Sequence, residues 1–121
     1  MKLSTLFALL VSFATFFSAA ANANPVDVVS PSEAPADAVK VDIAKMKFAP
    51  STLDIAAGTV VVWTNHDAVP HNVYLPAPIE VVGQMLRAGQ SLALKFNEPG
   101  DYSYICSPHP YMKGKVTVKA K

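Results

Sequence analysis

Hydrophobic and polar residues alternate with a period of two over much of the chain, a pattern typical of strands that turn one side toward a core. Thr59–Asn65 is instead a continuous run of β-branched and aromatic residues, which predicts a buried central strand. No amphipathic helix of useful length is visible. The segments predicted as strands are Val39–Ala44, Thr52–Ala56, Thr59–Asn65, 73–75, 80–82, Ser91–Phe96, 101–106 and 115–119. Short strands at this spacing, seven to nine in all, indicate an all-β fold of the Greek-key β-sandwich type.

The first 23 residues have the order of a secretory signal peptide. Lys2 is followed by an apolar run over 3–17 and by small residues that end in Ala21-Asn22-Ala23. A membrane-spanning helix is the competing interpretation, but it needs about 20 mostly apolar residues and no stop-transfer pattern follows. Cleavage is therefore predicted after Ala23, or one or two residues away.

Residues 24–38 are rich in proline and short polar side chains and are interpreted as an extended N-terminal arm. Val26, Val28 and Val29 leave open a short edge strand within it. The domain itself is predicted over 39–121.

Composition limits the functions that this domain can have. Removal of residues 1–23 leaves 98 residues, the size of one small domain, with nine basic and nine acidic side chains. The basic residues are spread along the chain, so no nucleic-acid-binding patch is expected. The single cysteine cannot form a disulfide within the chain, although export would favour disulfides. Its thiol therefore needs another role, and metal ligation supplies one.

Four residues have the chemistry of a copper site. Cys106, His109 and Met112 follow one another at spacings of three, and His71 lies 35 residues before the cysteine. Two histidines, a thiolate and a weak axial methionine make up the type 1, or blue, copper centre of electron-transfer proteins. The predicted metal ligands are therefore His71, Cys106, His109 and Met112, which would bind one copper ion per chain.

Simpler interpretations exist for each of these residues taken singly. A lone cysteine is commonly a small buried hydrophobe, and a methionine near a strand end commonly belongs to the core. Zinc is disfavoured as the metal, because methionine is a poor zinc ligand.

The neighbours of the predicted ligands suggest how the site is held. Pro108 and Pro110 fix their own φ angles and restrict the residues before them, so the chain around His109 has few alternatives. Asn72 could tie the His71 loop to the Cys106 loop, or could be present only for its turn geometry. His66, beside Asp67 in a polar loop, is predicted to be an exposed side chain and not a ligand.

Residues 39–119 resemble the cupredoxin family, and within it the amicyanin branch of small blue copper proteins from methylotrophic bacteria. The stretches that carry the resemblance are 41–48, Trp63-Thr64-Asn65 leading to Pro70-His71-Asn72-Val73, and 106–116. The tight Cys-x2-His-x2-Met spacing is the most specific of them.

The resemblance implies a cupredoxin-like fold and a function without substrate turnover. It implies a periplasmic, monomeric carrier that passes one electron from a donor dehydrogenase, in this branch methylamine dehydrogenase, to a c-type cytochrome. It also implies that Cys106 and His71 are internal, whereas His109 lies near the surface within an apolar collar. With no net charge, an apolar docking patch is more natural than electrostatic steering. Candidate patch residues are Met46, Pro70, Met85, Pro108, Pro110 and Tyr111, of which Met46 and Met85 could equally belong to the core.

Copper storage or delivery and copper enzymes are two other classes of function for a copper-binding domain. Copper storage or delivery is the alternative, but it generally uses exchangeable Met-rich or His-rich sites, and three methionines remain after signal removal. A copper enzyme would need a further His-rich centre, for which His66 is the one histidine left.

Overall fold

The described residues of this computed structural model, 10–15 and 24–121, contain ten β-strands and one 3₁₀ turn, Pro31–Glu33. Residues 10–15 have no regular secondary structure. The strands are β1 (Val26–Val29), β2 (Val39–Ala44), β3 (Lys47–Ala49), β4 (Thr52–Ala56), β5 (Thr59–Asn65), β6 (Tyr74–Leu75), β7 (Val81–Val82), β8 (Ser91–Phe96), β9 (Gly100–Ile105) and β10 (Lys113–Lys119). The all-β prediction is therefore confirmed.

The strands form two five-stranded sheets, with the orders β1-β8-β5-β2-β3 and β4-β10-β9-β6-β7. Most neighbours are antiparallel, but β2 pairs with β5, and β4 with β10, in parallel. The chain crosses from one sheet to the other after β3, β4, β5, β7 and β8. The architecture is that of a cupredoxin-like sandwich.

Several strand boundaries differ from the predicted ones. The edge strand left open within residues 24–38 is present, because β1 pairs with β8 along its whole length. β3 was not predicted, since its single buried residue, Phe48, is too little to produce a periodic pattern. With β3 counted, the described chain has ten strands where seven to nine were expected. The predicted strands at 73–75 and 80–82 are present as the two-residue strands β6 and β7.

The predicted signal peptide falls mainly outside the described residues, because 1–9 and 16–23 are not among them. Within the part of the chain that is described, no helix has the length and apolar character needed to cross a membrane.

Aromatic side chains fill the space between the sheets. Trp63 on β5 meets Tyr104 on β9 edge to face at 5.4 Å between ring centroids, and Phe48 meets the same tyrosine at 4.8 Å. Trp63 and Tyr104 are almost completely buried, and burial raises the pKa of Tyr104 to about 12. The phenol therefore remains neutral at physiological pH, and the two sheets are joined through an uncharged aromatic cluster.

One end of this sandwich carries the predicted ligands. β5 delivers the chain to the connection that contains His71, and β9 and β10 flank the loop from Cys106 to Met112. The two connections lie on neighbouring parts of the fold, because β6, which follows His71, pairs with β9 at Tyr74 and Ile105. Strand pairing thus brings distant ligands together.

Gly114 is expected to be intolerant of any side chain. It lies opposite Tyr104 in the β9–β10 ladder, and a methyl group at this position would overlap the tyrosine ring. Gly114→Ala is predicted to lower the free energy of unfolding by about 1–3 kcal/mol, the usual effect of overpacking. Denaturant unfolding of the metal-free protein measures the change. Lys119→Ala, an exposed change on the same strand, is the control, and equal losses in the two variants would contradict the prediction.

Candidate metal centre

The loop from Cys106 to Met112 closes on itself through backbone hydrogen bonds. The Cys106 N–H donates to the Met112 carbonyl (3.1 Å), the His109 N–H to the Cys106 carbonyl (3.2 Å) and the Met112 N–H to the His109 carbonyl (2.9 Å). Each three-residue interval between the predicted ligands of this loop therefore forms one hydrogen-bonded turn. Pro108 and Pro110 flank His109 and leave its backbone little freedom.

The connection that carries His71 is held by a buried asparagine at the end of β5. Asn65 Nδ2 donates to the carbonyls of Val69 (3.0 Å) and Leu86 (2.8 Å), and its Oδ1 accepts the Asp67 N–H (2.9 Å). His71 and Leu86 also exchange backbone hydrogen bonds of 3.1 and 2.7 Å. The histidine backbone is therefore fixed on both sides.

Three of the four predicted ligands converge in one small region. Cys106 Sγ lies 3.7 Å from His71 Nδ1 and 3.6 Å from His109 Nδ1, and the three donor atoms all lie within 4.8 Å of one another. His71 and Cys106 are fully buried, whereas His109 is partly exposed. Met112, at the end of the same loop, is buried as well. The predicted division between internal and surface ligands holds.

The spacing of these atoms suits a bound ion. Nitrogen ligands at about 2.0 Å and a thiolate at about 2.3 Å, arranged trigonally around one ion, would place each nitrogen about 3.7 Å from the sulfur. The Nε2 of His71 lies 2.9 Å from a carboxylate oxygen of Asp67, which assigns the ring hydrogen to Nε2. His71 therefore directs the lone pair of Nδ1 toward the sulfur, where a soft cation fits.

Residues 35–119 match the family model described as copper binding proteins, plastocyanin/azurin family. The chain belongs to this family.

Its relatives identify the branch. Amicyanin-alpha of Methylorubrum extorquens is 52% identical over 91 residues, which cover 72% of this chain and 76% of the relative. Amicyanin of Paracoccus versutus is 43% identical over 95 residues, covering 75% and 72%. The crystal structure of amicyanin from Paracoccus versutus matches with a TM-score of 0.72 and 40% identity over 80% of this chain and 100% of that one. This amicyanin-type member of the family is a blue copper electron-transfer protein for one type 1 copper, and not an enzyme.

Asn72 ties the two ligand-bearing segments of this copper protein together. Its Oδ1 accepts the Ser107 N–H (2.7 Å), and its Nδ2 donates to Ser107 Oγ (3.0 Å) and to the Gly83 carbonyl (3.1 Å). The asparagine is almost fully buried. The predicted link between the loops is present, and it includes the serine hydroxyl as well as the backbone.

Asp67 is the charged group nearest to the buried histidine. Hydrogen bonds from the backbone N–H of Met46, from His71 and from the backbone N–H of Lys45 hold the pKa of this carboxyl below its usual range, against a smaller opposing effect of burial. The site of this family member therefore carries a fixed negative charge on the far side of His71.

The outer end of the site is apolar. Pro70, Pro108 and Pro110 are exposed there, as are Met85 and Tyr111, whose exposed fractions are 45% and 66%. The ring of Tyr111 lies 6.1 Å from that of His109. Met46 is partly buried, packs against the core and lines an open cavity beside Tyr111 and Met112.

Some contributors to the site were not found from the sequence. Val69, 44% exposed, joins the apolar end but was not named as a candidate. Asp67 was noted only as a neighbour of His66, although it lies four residues before His71. His66 is exposed, as predicted, and its Nε2 lies 2.9 Å from Asp42 outside the ligand group.

Loss of the Asn72 side chain is predicted to lower the free energy of unfolding more than loss of the Ser107 hydroxyl. Asn72→Ala removes three hydrogen bonds and leaves the buried carbonyl of Gly83 without its donor, so the free energy of unfolding of the metal-free protein should fall by about 1–3 kcal/mol. Ser107→Ala keeps the backbone bond to Asn72 and should cost about 1 kcal/mol or less. Denaturant unfolding of both variants gives the order, and the reverse order would refute this account.

Proposed function

We propose that this chain is a periplasmic, monomeric carrier that takes one electron at a time from methylamine dehydrogenase and passes it to a c-type cytochrome. Its ligands to copper would be His71, Cys106, His109 and Met112. The observation that carries the proposal is the convergence of the two Nδ1 atoms on the buried Cys106 sulfur, with one of the two histidines at the surface. The donor and acceptor are inferred from similarity to the amicyanins.

Bound copper would supply a one-electron couple between Cu(II) and Cu(I). The donor loses one electron and the acceptor gains it, and no covalent bond is made or broken. The protein would hold the copper ligands in fixed positions. Asn65 and the His71–Leu86 backbone pair hold one histidine, and the closed turns of the Cys106 loop hold the other. Ligands that move little between the two oxidation states allow rapid transfer.

Export is part of the proposal. Residues 1–23 would direct the chain across the inner membrane and be removed after Ala23. The mature protein would then comprise the segment 24–38, which supplies β1, and the copper-binding domain over 39–121. Location in the periplasm would place the carrier beside its proposed partners.

Copper storage or delivery fits the site less well. His71 and Cys106 are completely buried, and the backbones of both ligand segments are held by hydrogen bonds. Such a site exchanges metal slowly, whereas a delivery protein has to hand its ion over. A partly exposed His109 amid apolar side chains suits the transfer of electrons rather than of ions.

The exported protein is predicted to become intensely blue with one equivalent of Cu(II), because the thiolate of Cys106 would donate charge to the metal. Visible absorption and electron paramagnetic resonance, with its narrow parallel hyperfine splitting, measure this, and the mass of the same sample gives the cleavage site. Cys106→Ser and His109→Ala should each abolish the blue spectrum. His66→Ala, which removes an exposed histidine outside the ligand group, is the control and should leave it intact. A colourless complex of the unaltered protein would rule out the electron-carrier function.

A charged residue at the apolar outer end of the metal site is predicted to slow electron transfer without altering the copper spectrum. Pro110→Glu should reduce the rate with methylamine dehydrogenase by at least about tenfold, equivalent to about 1.4 kcal/mol, because the carboxylate must be desolvated on docking. Stopped-flow oxidation of the reduced dehydrogenase measures the rate. Ala120→Glu introduces the same charge just beyond the far end of β10 and should change little. Similar slowing in both variants, or loss of the blue spectrum in Pro110→Glu, would contradict docking at this end.

A further inference from the structure

A single carboxylate joins a turn between two strands to a buried ligand. Asp67 Oδ1 accepts the N–H of Lys45 (2.8 Å), while Oδ2 accepts the N–H of Met46 (3.0 Å) and lies 2.9 Å from His71 Nε2. The backbone N–H of Asp67 is itself bound to Asn65 Oδ1 at 2.9 Å. Two segments that are distant in sequence, the turn at Lys45 and Met46 and the stretch from Asn65 to His71, are thus fixed relative to one another.

The turn at Lys45 and Met46 is held by this carboxylate. Both residues have left-handed backbone angles, with φ of 52° and 60°, which are uncommon for residues other than glycine. Successive N–H groups in such a conformation point the same way and form a concave site for an anion. Asp67 fills it, and the side chain is held there with 19% of its surface exposed.

The same carboxylate determines which ring nitrogen of His71 carries the hydrogen and which is unprotonated. A carboxylate accepts hydrogen bonds and has none to donate, so the nitrogen that faces it must carry the ring hydrogen. That nitrogen is Nε2, and Nδ1 is left unprotonated on the side of Cys106 Sγ, 3.7 Å away. Within the described residues no carboxylate is hydrogen-bonded to His109, so the two histidines are held differently.

We propose that Asp67 is a positioning residue for the metal centre: it fixes the ligand form of His71 in advance and places a negative charge behind it that lowers the reduction potential. This inference rests on the proposed function, because the potential has meaning only if the site carries copper. The physical reason for the direction is that a nearby negative charge stabilises the more highly charged oxidised ion. Partners of this type orient a metal-bound histidine and raise its basicity.

The first test needs neither copper nor a substitution. Nitrogen NMR of the metal-free, unaltered protein should show His71 as the Nε2–H form, with that hydrogen exchanging slowly with water. His109 in the same sample is the internal comparison and should show faster exchange. Observation of the Nδ1–H form at His71 would overturn the proposal. Because this measurement is independent of copper, its outcome is separate from the fate of the electron-carrier function.

The second test measures the reduction potential of the copper-loaded protein. Asp67→Asn keeps the size of the side chain and removes its charge, and should favour the reduced state about tenfold, which is about 59 mV for one electron. Asp42→Asn is the matched control: it removes the same charge from a carboxylate that lies 2.9 Å from an exposed histidine, His66, outside the site. It should shift the potential by less than half as much. Equal shifts in the two variants would overturn the electrostatic part of the proposal.

Discussion

The site depends on keeping two connections, the one between β5 and β6 and the one between β9 and β10, at a fixed separation. Two buried asparagines do this. Asn65 shapes the connection that carries His71, and Asn72 joins that connection to Ser107 in the next ligand loop. Each makes at least three hydrogen bonds in an interior where an unmet polar group is costly. The requirement to satisfy these groups restricts the arrangement of the loops and so fixes the positions of the donor atoms.

The candidate ligands in the interior differ from the one that faces an electron-transfer partner. His71 and Cys106 are shielded by the core and by the loop hydrogen bonds, and Asp67 lies behind His71. His109 is the ligand candidate that reaches the surface, and proline and tyrosine side chains surround it there. A partner can therefore approach one edge of the site without disturbing the groups that set its chemistry.

Much of this structure could be read from the sequence because its strands alternate and its ligands have distinctive chemistry. The bounds of β2, β4, β5 and β8 agree with the predicted segments residue by residue. β3 was not predicted because three residues are too few to show an alternating hydrophobic pattern. β1 was considered but not assigned because prolines surround it. Asp67 could not be assigned, since its role depends on left-handed angles at Lys45 and Met46, which no hydrophobic pattern encodes. Sequence chemistry thus identified the candidate ligands, whereas their hydrogen-bond partners required three-dimensional coordinates.

The pairing of β10 has a consequence for how the protein matures. β10 closes the loop from Cys106 to Met112 against β9, and on its other edge it lies parallel to β4, a strand from much earlier in the chain. Such a pairing between distant segments forms slowly, after local hairpins. Until β10 is paired, the loop from Cys106 to Met112 is not held in place beside His71. The full set of candidate ligands is thereby assembled only in chains that have finished folding, so tight binding of the metal follows folding.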